Sequence, residues 1–132
     1  MGIAGAGLVR EIEGSLPEHL REWWTQDLWC LHSPNWWRRH WERTGIVDIE
    51  FADLMKDGWQ RWQEWLARIA PDNVVEAAAL EKDQGEYLGY VRMVARRRAG
   101  VELDDPVVSI PRQYTKAPLL REFKLKQGEP QC

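Results

Sequence analysis

The chain has 132 residues, of which 44% are hydrophobic and 30% charged, a composition typical of one soluble globular domain. Its net charge of −3 argues against a protein that mainly binds nucleic acid, because such binding depends on neutralising phosphates. No uncharged stretch approaches the roughly 20 apolar residues of a membrane-spanning helix, and the start lacks the basic and apolar regions of a signal peptide. We therefore expect a cytoplasmic protein with no membrane partner.

The first ten residues resemble the beginning of a nucleotide-binding loop. Gly5 and Gly7 match the start of the pattern G-x-G-x-x-G, but its sixth position is Arg10 and no apolar strand precedes it. The pattern therefore favours a short strand containing Ile3 and Leu8, in which glycine allows a neighbouring backbone to come close.

Two helices are predicted in the next segment. From Leu16 onward, apolar residues recur at helical spacing, and Pro17 suits the first turn of a helix. Ser33 followed by Pro34 predicts the start of a second helix, because the Ser hydroxyl can accept a hydrogen bond from a free backbone N–H. That helix covers residues 35–44 and ends at Gly45.

A strand, two helical segments and another strand follow. Residues 46–53 alternate, with Ile46, Asp48 and Glu50 on one face and Val47, Ile49 and Phe51 on the other. Asp57 is predicted to cap a helix that Pro71 ends, and Asp72 a helical segment that reaches Lys82. Residues 87–95 are almost continuously apolar, which is typical of a strand covered on both faces.

Proline and acidic residues interrupt every apolar cluster after Gly100. Residues 101–132 are therefore predicted to be an extended or flexible tail, and residues 1–100 to form the domain.

Several sequence blocks resemble one known family. They are Gly7-Leu-Val-Arg-Glu11, Pro17-Glu-His-Leu-Arg21, residues 24–29, His32-Ser-Pro-Asn-Trp-Trp-Arg-Arg-His-Trp-Glu-Arg-Thr-Gly45, residues 52–53, residues 57–59 and Leu88-Gly-Tyr-Val-Arg-Met-Val-Ala-Arg-Arg97. Together they resemble the C-terminal portion of class I S-adenosylmethionine-dependent methyltransferases of the bacterial small-molecule type. The resemblance covers about the first three quarters of the chain, and the His-Ser-Pro-x-Trp-Trp block is its most specific part.

The resemblance implies an α/β fold with part of a Rossmann-like sheet. Residues 2–10, 46–53 and 87–96 would be the fifth, sixth and seventh strands, with the seventh antiparallel between the other two. The family holds S-adenosylmethionine against a Gly-rich loop after its first strand and an acidic residue that ends its second, and neither feature is present here. The resemblance thus implies an acceptor-side fragment for an unknown small molecule, inactive without a complementing N-terminal half.

Two residues are candidates for contact with the methyl acceptor or for removal of its proton. Asp27 and His32 lie five apart in a Trp-rich segment, and histidine titrates near neutral pH. In the alternative interpretation, His32 makes a hydrogen bond at a helix start and Asp27 is a surface charge. The predicted aromatic wall of the acceptor pocket consists of Trp29, Trp36, Trp37 and Trp59.

Three other interpretations compete with an enzyme. Cys30, His32 and His40, with His19 or Asp27, include zinc-compatible side chains, but their spacing matches no closed structural zinc site, and we predict no metal. An Arg-rich and Trp-rich helix face suits an anionic ligand or nucleic acid, although a solvated helix face is the more usual explanation. The third interpretation is a non-enzymatic module that forms a dimer or binds another protein through an exposed sheet edge.

Overall fold

Three strands form one antiparallel sheet in which the last strand of the sequence lies in the middle. The computed structural model describes residues 1–102, and strands β1 (Gly2–Leu8), β2 (Val47–Leu54) and β3 (Leu88–Arg97) occur in the order β1-β3-β2. β3 pairs antiparallel with both neighbours, so β1 and β2 run in the same direction without touching. The expected α/β class, the three strands and the central antiparallel position of the third are confirmed.

Helices cover both faces of this sheet. Helix α1 (Pro34–Glu42) follows β1 in the chain, and α2 (Gly58–Ile69) and α3 (Val74–Asp83) connect β2 to β3. Side chains alternate along β3. Tyr90 contacts Trp62 of α2, whereas Val91 and Met93 on the opposite face line a small cavity with tryptophans of α1.

The core lies between the sheet and the α2–α3 pair. Its buried members come from β1, the α2–α3 pair, β3 and the segment after β1, and they are Leu8, Leu20, Trp62, Leu66, Ala79, Leu80 and Leu88. Of these, Leu20, Leu80 and Leu88 are completely buried. No helix of residues 1–102 is long and apolar enough to cross a membrane.

The predicted helix from Leu16 is replaced by two short 3-10 helices, Glu18–Leu20 and Gln26–Cys30. The single turn at Glu18–Leu20 is sufficient to bury Leu20 completely. The prediction at Ser33 is confirmed, because its side chain accepts a hydrogen bond from the Trp36 backbone and Pro34 is the first residue of α1.

Strand β2 contains a bulge that the alternating pattern did not predict. Ile49 pairs with Ala95 and Phe51 with Val94, so Glu50 is an extra residue without a partner position. A bulge moves the following side chains to the opposite face. The predicted common face of Val47, Ile49 and Phe51 is therefore wrong: Val47 is 6% exposed and Phe51 40%.

The caps of α2 and α3 also differ from the sequence prediction. Asp57 precedes α2 in a left-handed conformation, with φ of 56°, and its side chain makes no capping hydrogen bond. At α3 the capping side chain is Asn73 rather than Asp72, and it accepts from the Glu76 backbone N–H. The predicted tail lies outside the described residues apart from its first two positions.

Candidate functional site

The candidate site is built where β1 ends. The Leu8 backbone N–H donates to the His32 carbonyl over 3.1 Å, which holds the segment before α1 against the strand. A Cβ atom on Gly7 would lie 2.8 Å from this carbonyl and 2.5 Å from Val91 Cγ2. The second glycine of the Gly5-Ala-Gly7 stretch thus allows the close backbone contact that we expected of a strand glycine.

Glu11 connects His32 and Ser33 through one carboxylate. Its Oε1 accepts from the Ser33 backbone N–H over 2.8 Å and from the Ser33 hydroxyl over 2.7 Å. Its Oε2 lies 3.1 Å from His32 Nδ1. The side chain of His32 is only 11% exposed, whereas that of Glu11 is 34% exposed.

These hydrogen bonds keep Glu11 ionised. Partial burial raises the pKa of the carboxyl, but hydrogen bonds from His32 and Ser33 outweigh it and lower the pKa to about 2. An ionised carboxylate has no proton to give, so His32 Nδ1 must donate to it. In a neutral imidazole the lone pair is then on Nε2.

Nε2 is the nitrogen of His32 through which chemistry can occur. It makes no hydrogen bond within residues 1–102, and 11% of the His32 side chain is exposed. A histidine whose other nitrogen is fixed by a carboxylate can accept a proton at Nε2 and is stabilised once charged. The Glu11–His32 pair therefore has the arrangement of a general base.

Trp36 is stacked between two histidines. Its ring lies 3.7 Å from that of His32 at 6° and 4.9 Å from that of His40 at 9°. Trp37 meets His32 edge-on at 6.2 Å. Burial lowers the pKa of His40, and the charges of His32, when it is protonated, and of Arg43 lower it further.

The six predicted site residues occupy different places. His32, Trp36 and Trp37 lie together, whereas Asp27 is exposed in the second 3-10 helix and makes no hydrogen bond or ion pair within residues 1–102. Trp29 packs against Trp24 at 5.1 Å. Trp59 lines a cleft between α2 and α3. For Asp27, the surface-charge interpretation agrees better with the structure than a role beside His32.

Sequence reasoning missed Glu11. It was named only as the last residue of the Gly7–Glu11 block of the family resemblance, although it follows closely after a strand. Polar side chains just past the carboxyl end of a strand are the usual position for ligand contacts in α/β sheets. Applied to the end of β1 at Leu8, this rule would have selected Arg10 and Glu11 as candidate ligand contacts.

A second histidine–carboxylate pair has a structural role. His19 Nε2 lies 2.8 Å from Asp83 Oδ1, and the Asp83 side chain is completely buried. Asp83 also accepts from the backbone N–H groups of Tyr87 and Leu88. This carboxylate ties the first 3-10 helix to the turn that starts β3.

The Gly5-Ala-Gly7 stretch does not form a nucleotide-binding loop, because the space above Gly7 is filled by Val91 and the His32 carbonyl. At the end of β2, Asp53 is held by two hydrogen bonds from Arg92. Residues 1–102 also contain no group of three His, Cys, Asp or Glu side chains placed to hold a metal ion.

Comparisons with known proteins give no relative from which function could be transferred. Neither protein-family models, nor curated proteins, nor solved structures match the chain. The geometry of the Glu11–His32 pair and the order of the strands are therefore the basis for the function proposed below.

Proposed function

We propose that the chain is the acceptor-side portion of a class I S-adenosylmethionine-dependent methyltransferase that acts on a small molecule. In this proposal the described residues contribute the last three strands of the sheet and the acceptor contacts. A separate donor-binding half completes the enzyme.

The order of the strands carries the proposal. The family places its seventh strand antiparallel between the fifth and sixth, and β3 lies antiparallel between β1 and β2. Consecutive strands usually pair, but β1 and β2 do not, because β3 lies between them. The outer edge of β1 is also unpaired within residues 1–102, which is where a donor-binding half would continue the sheet.

The Glu11–His32 pair supports the acceptor side of the proposal. Many methyl acceptors are hydroxyl or amine groups that must lose a proton, and a base contributes to that step. His32 Nε2 is the proposed proton acceptor, and Glu11 fixes the ring through Nδ1. Trp36, stacked on His32, and Trp37 are the aromatic groups nearest to it.

Titration calorimetry tests the donor side. We expect no binding when S-adenosylmethionine is added to the 132-residue chain alone. The DNA immediately upstream should encode an acidic, Gly-rich strand-turn-helix, in frame or frame-shifted. Supplied as a separate polypeptide, that segment should associate with the chain and create a donor site.

Two results would argue against this proposal. Tight donor binding by the chain alone would show that no second half is needed. Upstream DNA without such a segment would remove the reason to assign an enzyme. In the calorimetric test, S-adenosylhomocysteine is titrated in parallel as the control for donor specificity.

The edge of β1 favours a second candidate function, homodimerisation as a non-enzymatic module. Met1 and Ala95 exchange hydrogen bonds, so by alternation the backbone groups of Gly2, Ala4 and Ala6 point away from β3. This edge has no charged residue or proline to prevent pairing with another strand.

Size-exclusion chromatography with light scattering should then give a dimer that Ala4→Pro dissociates. A monomer at all concentrations excludes this candidate.

A further inference from the structure

A cleft of about 520 Å3 lies between α2 and α3. This volume is in the range of small-molecule sites, which run from roughly 300 to 1,000 Å3. Its lining residues come from the two helices, their connection and the turn after α3, and they include Trp59, Leu66, Ala70, Ala77, Glu81 and Gln84.

The wall of this cleft combines an apolar surface with one negative charge. Glu81 is the only charged residue among those that line it, and Trp59 is the only aromatic one. Small aliphatic groups such as Ala70 and Ala77 make up most of the remainder. A negative group and an indole on an apolar surface are complementary to an organic cation, which is attracted to the face of an aromatic ring.

Trp59 of α2 packs against the turn that leads to β3. Gly85 has φ of +80°, and a Cβ atom there would lie 2.4 Å from Trp59 Cδ1. Gln84 before it is also left-handed, with φ of 48°. Only glycine at position 85 leaves room for the indole, so the turn fixes Trp59 at the cleft.

Glu81 is the carboxylate of α3 that the fold does not use. Glu76 accepts from the Trp62 indole and from the Asn73 amide, and Asp83 is bound to His19 and two backbone groups. Glu81 makes no hydrogen bond or ion pair within residues 1–102. Its negative charge at the cleft therefore remains available to a ligand.

We infer that this cleft binds a small organic cation, an amine or quaternary ammonium with an apolar body. The ammonium group contacts the Trp59 indole near Glu81, and the apolar body covers Leu66 and Ala70. The cleft lies beside α2, whereas the Glu11–His32 pair lies just before α1, and the two helices cover opposite faces of the sheet. The inference therefore does not depend on the proposed methyltransferase function.

The test uses benzyltrimethylammonium as the probe and neopentylbenzene, its uncharged analogue, as the control. Both are titrated into the 15N-labelled full chain while the indole N–H and backbone amide signals are followed. We expect saturable shifts at the Trp59 indole and at Gln84 and Gly85, with the cation binding at least about fivefold tighter than the analogue.

Two pairs of matched variants test whether Glu81 and Trp59 bind the cation. Glu81→Gln should weaken cation binding about fivefold and leave the analogue unchanged, whereas Glu64→Gln, at an exposed position of α2 outside the cleft, should change neither. Trp59→Leu should remove the cation preference, and Trp65→Leu should retain it, because Trp65 is 53% exposed and does not line the cleft. Equal binding of the two probes, shifts that map elsewhere, or an unaffected Glu81→Gln variant would each overturn the inference. Glu81 is exposed, so we expect Glu81→Gln to fold, and this variant tests the inference even if Trp59→Leu fails to fold.

Discussion

Glu11 is expected to affect the stability of the protein in acid. Its folded pKa, about 2, lies below the ordinary value of 4.5, so ionised Glu11 stabilises the fold above pH 4.5 and this contribution is lost as the pH falls towards 2. With a discount for the exposed third of the side chain, we expect Glu11→Gln to cost about 1–2 kcal/mol at pH 7.

The difference between wild type and Glu11→Gln should therefore shrink between pH 4.5 and 2 in urea unfolding experiments. Glu22→Gln is the control, because Glu22 is exposed and should leave the pH profile unchanged. A constant difference across that pH range would mean that Glu11 is not held as an anion by His32 and Ser33.

His32 and Asp27 can be separated by kinetics once the chain is part of an active complex. His32→Gln should lower kcat by roughly 10²–10⁴-fold, the usual contribution of a general base. Asp27→Asn should stay within about twofold of wild type, because Asp27 is exposed and has no contact with the Glu11–His32 pair. Steady-state methyl transfer measures both variants, and the reverse ranking would assign the base to Asp27.

Gly7 and Gly5 provide a matched pair of glycine substitutions. Gly7→Ala places a methyl group within 2.5 Å of Val91 and 2.8 Å of the His32 carbonyl, so we expect a loss of about 1–3 kcal/mol. Gly5→Ala meets nothing within 4 Å and should be nearly neutral. Thermal unfolding compares them, and equal melting temperatures would contradict the close approach of the His32 segment to β1.

At the scale of elements, two helix starts that look similar in sequence should respond differently. Asn73→Ala removes a capping hydrogen bond and should cost about 1 kcal/mol. Asp57 caps nothing and has φ of 56°, so Asp57→Gly should be neutral or stabilising. Urea unfolding measures both, and a larger loss for Asp57→Gly would show that its side chain supports α2 after all.

The elements that were predicted correctly depend on local signals. Ser33 and Pro34 determine the start of α1 through adjacent backbone groups. The apolar run of β3 predicts a strand without any knowledge of the strands that pair with it. The Glu50 bulge is different, because it exists only in the pairing of β2 with β3. The segment from Leu16 has helical spacing, yet it forms two short 3-10 helices, and His19 in the first of them contacts Asp83, 64 residues away in sequence.

At the scale of the whole molecule, the candidate site was predicted in part. His32 was selected from its own chemistry, whereas Glu11 reaches it only because the chain after β1 folds back over 21 residues. The predicted aromatic wall placed Trp37 and Trp59 in one pocket. The sheet separates α1 from α2, with Trp37 and Trp41 on the side of α1 and Trp62 on the side of α2.

The central position of β3 determines the order in which this molecule can fold during synthesis. β1 and β2 meet only through β3, so no part of the sheet exists until Leu88–Arg97 has left the ribosome. Contacts between segments this distant in sequence form slowly, and incomplete chains expose apolar surface meanwhile. A nascent chain that stops before Leu88 presents all nine tryptophans without the strand that separates the α1 face from the α2 face, and its exposed apolar surface favours aggregation.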